Sequence, residues 1–152
     1  MRKMLTAALF VFATATAWPF AAQTAEPGAE TTDTKAIVEA FFDQVFVRGD
    51  IRPGIERYLA EDYIQHNPLA ADGRDAVLKF FESIPADKLP KVTLARIIAE
   101  GDLAAVHYRS ESPGRPPFAV VDIFRVQDGK IVEHWDVVQP IPLTSANPHP
   151  MF

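Results

Sequence analysis

Three groups in this chain have the types and settings that could move a proton. Asp122 stands between Val121 and Ile123 in the run AVVDIFRV, and a carboxylate in so apolar a stretch is costly unless it is paired or used. In an extended segment it shares a face with Val120 and Phe124. A carboxyl group in an apolar wall resists ionisation and can trade a proton near neutral pH, which makes Asp122 the leading catalytic candidate. His107 lies in the apolar run Leu103–Ser110, where it could face Asp122 and form a His–Asp pair. His66, in Tyr63-Ile64-Gln65-His66-Asn67-Pro68, is the alternative acid–base partner, with Tyr63 and Asn67 as hydrogen-bond donors to a developing enolate. In Glu133-His134-Trp135-Asp136, alternation puts Glu133 and Trp135 on one face and His134 and Asp136 on the other, so the four cannot share one site. Trp135 is expected in the pocket wall or the core. The plain structural reading of Asp122 is an ion pair with Arg109. Which face meets which depends on strand register, and a one-residue slip inverts it.

Other chemistries lack their residues. No two histidines have the i, i+2 or i, i+4 spacing that puts two ligands on one element, so no metal site is expected. A nucleotide-binding glycine pattern, a G-x-S-x-G elbow and a cysteine nucleophile are all missing, and no cofactor is implied.

Helices and then strands must position these groups. Gln127-Asp128-Gly129-Lys130 between two β-branched runs predicts a tight hairpin of Phe118–Val126 with Lys130–Val138. Two more strands, Val92–Glu100 and Leu103–Ser110, precede it, joined by Gly101-Asp102. Upstream, apolar spacing predicts helices over Asp33–Arg48, Ile51–Leu59 and Arg74–Ser83, the first stopped by Gly49. Asp62–Pro68 reads as extended. The tail from Pro140 to Phe152 holds four prolines and is neither helix nor central strand; it is expected on the surface or over a neighbouring subunit.

Residues 1–25 have a basic start at Arg2-Lys3, an apolar centre and small residues around Ala21–Ala25, the layout of a secretory signal peptide. Residues 26–33 then form a flexible leader, 34–139 one domain and 140–152 the tail, in a secreted or periplasmic protein with no stable membrane insertion after cleavage. Removing the signal moves the formal charge from −5 to about −7. An acidic domain without a Lys/Arg cluster is a poor nucleic-acid binder. The hairpin strands are apolar on both faces, so the second face needs cover, and a homodimer is expected.

The order of these elements, with Tyr63-Ile64-Gln65-His66-Asn67-Pro68, Asp122-Ile123-Phe124-Arg125, Asp128-Gly129-Lys130-Ile131 and Glu133-His134-Trp135-Asp136, resembles the SnoaL-like branch of the nuclear-transport-factor-like cone fold. The resemblance implies an α+β fold, a cystatin-like roll in which a cone-shaped, curved antiparallel sheet wraps around three N-terminal helices. It also implies a role for Asp122, since polyketide cyclases of this family use an aspartate of the penultimate strand as acid–base catalyst for aldol ring closure. Steroid isomerases of the same fold place a functional aspartate there too. The expected ligand is a small apolar or carbonyl-containing molecule, contacted by Tyr63, Asn67, Trp135, Phe124 and Val120. Two functions stay open: a cofactor-independent acid–base enzyme acting next to a carbonyl, or a non-catalytic pocket or dimeric interaction module.

Overall fold

The structure is a computed structural model that describes residues 30–152; the expected signal peptide and the start of the leader lie outside the described residues. Helix α1 spans Glu30–Phe42, beginning about a turn before the expected start, and runs on into a π-helical turn over Asp43–Val47. The wider turn lets Arg48 N–H reach the Asp43 carbonyl at 2.9 Å. Val38, Phe41, Phe42 and Val45 face the core from this element. Gly49, at φ +72°, ends it.

Helix α2 (Ile51–Tyr58) packs back against the π-helical turn. The close contact is at Gly54, where an added Cβ would stand 2.5 Å from Val45 Cγ2. Strand β1 (Leu59–Gln65) follows without a loop, and α3 (Arg74–Glu82) comes after the segment 66–73. Leu78 is buried on α3, whereas Phe80 is 59% exposed.

Strands β2 (Lys91–Glu100), β3 (Leu103–Glu111), β4 (Phe118–Gln127) and β5 (Lys130–Pro140) are antiparallel neighbours. The strand order of the sheet differs from the expected one in one respect. Residues 59–65 join it as a fifth strand, parallel to β5, so the order is β1-β5-β4-β3-β2 and the sheet is mixed. The result is an α+β cone: three helices held by a curved, unclosed sheet. The concave face carries Ala104, Val106 and Tyr108 of β3, Val120 and Phe124 of β4 and Ile131 of β5 against the helices.

The β4–β5 turn forms as its sequence predicts. Asp128 (φ +49°) and Gly129 (φ +75°) both take the left-handed conformation that a two-residue hairpin needs, and Gln127 pairs with Lys130. The tail beyond β5 returns over the convex face of its own sheet, where the Phe152 ring stacks on His107 at 5.1 Å.

The Gly54–Val45 contact gives a direct test of this packing. Gly54→Ala should lower unfolding stability by about 1–3 kcal/mol through overpacking, read as a lower denaturant midpoint with unchanged slope.

Candidate functional site

Register decides which titratable groups meet. Starting from Gln127↔Lys130, an unbroken hairpin ladder would set Asp122 opposite Trp135. Instead the pairs Val126↔Ile131 and Arg125↔Glu133 leave Val132 as an extra residue on β5. This bulge inverts the facing of every later β5 residue. Asp122 therefore sits opposite Asp136, and Phe124 opposite His134.

The inner face then gathers Asp122, His134 and Asp136, each offering an atom within 4.8 Å of the others. Asp122 is 5% exposed and His134 9%. Each is held on one side by a neutral polar neighbour. Tyr108 O–H donates to Asp122 Oδ2 at 2.9 Å, and Asn67 Nδ2–H to Asp136 Oδ2 at 2.6 Å. Gln65 Oε1 accepts the backbone N–H of Asn67 at 2.9 Å, which identifies that atom as the amide oxygen. His134 Nδ1, also 2.9 Å from Gln65 Oε1, is then the donor and carries its hydrogen. That leaves Nε2 as the reactive ring atom. It is buried, makes no hydrogen bond, and lies 3.4 Å from Asp122 Oδ1. The imidazole is fixed in plane between Phe124 (ring centroids 4.9 Å apart) and Tyr63 (6.4 Å).

Strand β1 supplies the polar holders by simple alternation. Gln65 pairs with His134 in the parallel ladder, and His66 N–H donates to the His134 carbonyl at 2.9 Å. Tyr63, Gln65 and Asn67 thus point inward together. Burial, and then the charges of Asp122 and Asp136, hold the Tyr63 hydroxyl far above its ordinary range. Burial and Asp122 do the same to Tyr108. Both phenols stay neutral, and Tyr108 acts as an O–H donor.

These groups line the deep end of a cavity of about 1050 Å³. That is the upper end of the roughly 300–1,000 Å³ usual for small-molecule pockets. Its middle is apolar, with Phe41, Phe46, Val77, Phe81 and Phe124 in the wall.

The expected site residues divide accordingly. Asp122, Tyr63, Asn67 and Phe124 line the cavity, while Val120 is buried on the same face in the core behind it. His107 does not face Asp122. It pairs with Val121 and points to the convex side, because Val106 is the residue opposite Asp122. His66 also points outward, its Nε2 2.7 Å from Glu133 Oε1 and its ring stacked on Trp135 at 4.6 Å. Trp135 is neither pocket wall nor core; it lies on the convex face, with the Arg125 guanidinium 5.6 Å from its ring centre. Arg109 pairs with Glu111, so the ion pair with Asp122 does not form. The partner of Asp122 is His134, which an unbulged β5 would place on the convex face. No glycine or other local signal in Lys130-Ile131-Val132-Glu133 announces the bulge that turns it inward.

On the convex face the hydrogen bond from His66, and then that from Arg125, holds the Glu133 carboxyl below its ordinary value of 4.5. A depressed carboxylate stabilises the fold above its unfolded value and loses that contribution as the pH falls. Glu133→Gln should therefore lower the melting temperature at pH 7, and the gap from wild type should close as the pH drops below about 4.

Comparison with known proteins agrees with this architecture. The model of the SnoaL-like domain matches residues 38–134. A proposed ketosteroid isomerase from Kribbella flavida DSM 17836 is 25% identical, with a TM-score of 0.64 over 79% of this chain and 93% of its own. An NTF2-like protein of unknown function from Mesorhizobium loti is 25% identical, with a TM-score of 0.62 over 75% and 97%. An LEH-like epoxide hydrolase from M. tuberculosis, at 22% identity and a TM-score of 0.60 over 73% and 86%, shares the fold. None of the curated proteins matches the chain.

Proposed function

The chain belongs to the SnoaL-like domain family, a small-molecule-binding fold, and on that premise we propose that it is an acid–base enzyme acting next to a carbonyl. The observation that carries this reading is the contact of Asp122 Oδ1 with His134 Nε2, 3.4 Å apart at the deep end of an apolar cavity. Their other atoms are tied by Tyr108 and Gln65, so both are held in place with one valence free for substrate.

The chemistry follows from the donor pattern. Asp122 Oδ1 takes the proton from the carbon beside the carbonyl. His134, its hydrogen on Nδ1, presents Nε2 as the acceptor that can take the proton over from Asp122 and return it. The neutral Tyr63 hydroxyl is the donor to the carbonyl oxygen as negative charge develops there. Returning the proton to another carbon completes an isomerisation; attack of the enolate on a second carbonyl completes an aldol condensation. The proposed ketosteroid isomerase among the structural relatives fits the first outcome.

We further propose that the protein is secreted or periplasmic, from its N-terminal sequence, and that it works as a homodimer. Val137 (65% exposed), beside Trp135 on β5, and Ile98 (64%), across the sheet on β2, leave apolar surface on the convex face. Ile98→Asp should shift the solution mass at micromolar concentration from dimer to monomer; a monomeric wild type would remove the dimer.

Hydrogen–deuterium exchange next to the carbonyl of a panel of cyclic ketones tests the activity without knowledge of the natural substrate. Wild type should accelerate exchange, and Asp122→Asn should lose about 10²- to 10⁴-fold of that acceleration with its fold intact. Equal exchange by the folded variant would exclude Asp122 from the mechanism.

A further inference from the structure

The cavity is charged at both ends, with opposite signs. Its carboxylates, Asp122 and Asp136, sit at the deep end. At the opening, three separate segments each contribute a cation: Lys79 from α3, Lys88 from a 3₁₀ turn over Ala86–Lys88, and Arg115 from the loop joining β3 and β4. Between them lie exposed apolar side chains, Leu69 at 95% and Phe80 at 59%.

One feature sets these cations apart from ordinary surface charge. The chain has 20 acidic and 15 basic residues, so a cavity opening whose charged lining residues are all basic runs against its net sign. Ion pairs are not general on this surface either: Arg48, Arg52, Arg74, Arg109 and Arg125 each meet a carboxylate, whereas Arg57, Lys91 and Arg96 stand in none among the described residues. Among the described residues, no carboxylate lies within ion-pair distance of Lys79 or Arg115, and Lys88 has only its exposed neighbour Asp87 at 3.4 Å.

We propose that the substrate is an amphipathic anion: an apolar body that fills the cavity, with a carboxylate or a similar acidic group held at the opening by Lys79 and Arg115. The apolar middle takes up the body, and the rim charge fixes which end enters first. An anionic end cannot be the end that enters, because it would be driven against Asp122 and Asp136. The reacting group is therefore at the far end of the molecule from the acid group. A field of this sign at the opening also favours capture of anions despite the negative charge of the whole.

This rests on the cavity as the substrate site, not on proton transfer within it. The test is accordingly a binding measurement. Decanoate and its neutral counterpart decanamide share one apolar body, and calorimetric titration of each into the purified protein compares them directly. At low salt decanoate should bind about tenfold or more tightly than decanamide. That preference should disappear in Lys79→Gln/Arg115→Gln and shrink in 1 M NaCl, where the screening length is about 3 Å. Both side chains are exposed, and circular dichroism of the double variant confirms its fold. Equal affinities in wild type, saturable binding of neither compound, or a preference that survives the double substitution would each overturn the proposal. A preserved preference without ketone exchange would instead remove the catalytic reading and leave this one standing.

Discussion

One unpaired residue, Val132, decides what this protein can do. The Asp128-Gly129 turn starts the β4–β5 ladder in a register that would send Trp135 and Glu133 into the cone. The bulge adds a single residue and exchanges the two faces of β5 beyond it. His134 and Asp136 turn inward to Asp122, and Glu133 and Trp135 turn outward to Arg125 and His66. Both faces then suit their contents. Glu133 is held between the His66 ring and the Arg125 guanidinium, and Arg125 also reaches Asp102. Had the faces not exchanged, Glu133 would stand in the apolar cavity and the acid–base pair would not exist.

A second constraint is the cost of burying charge. Three titratable groups in one wall would be strongly unfavourable unless their polar atoms were satisfied. Three neutral side chains from the flanking strands do this work: Tyr108 from β3, Gln65 from β1 and Asn67 just beyond β1. Each engages one atom and leaves another facing the cavity. The parallel pairing of β1 with β5 is what brings Gln65 level with His134, so the edge strand is part of the site rather than a border to it.

Much of this was legible in the chain. The Asp-Gly turn, the stop at Gly49 and the placement of Asp122 with Val120 and Phe124 all follow from short-range rules, and the structure has them. Tyr63 and Asn67 also lie where the Tyr63–Pro68 motif suggested. What could not be read is long-range pairing. His107 seemed a natural partner for Asp122, but Val106 takes that register position and Tyr108 supplies the hydrogen bond. His66 was assigned to the cavity because it sits between Tyr63 and Asn67, yet alternation sends those two inward and His66 outward. Histidine spacing along single elements likewise missed a His–Asp–Asp cluster that two strands build together. Trp135 shows the point most clearly: its expected facing is that of an unbulged strand, and nothing in Ile131-Val132 signals the extra residue.

The most direct test of the assembled site is ring ¹⁵N NMR of the histidines in wild type and Asp122→Asn. His134 should carry its hydrogen on Nδ1 and be the histidine whose ring shifts change on the substitution, while His66 and His107 stay as they were. A response from His107 or His66 with His134 silent would contradict the register on which the site depends.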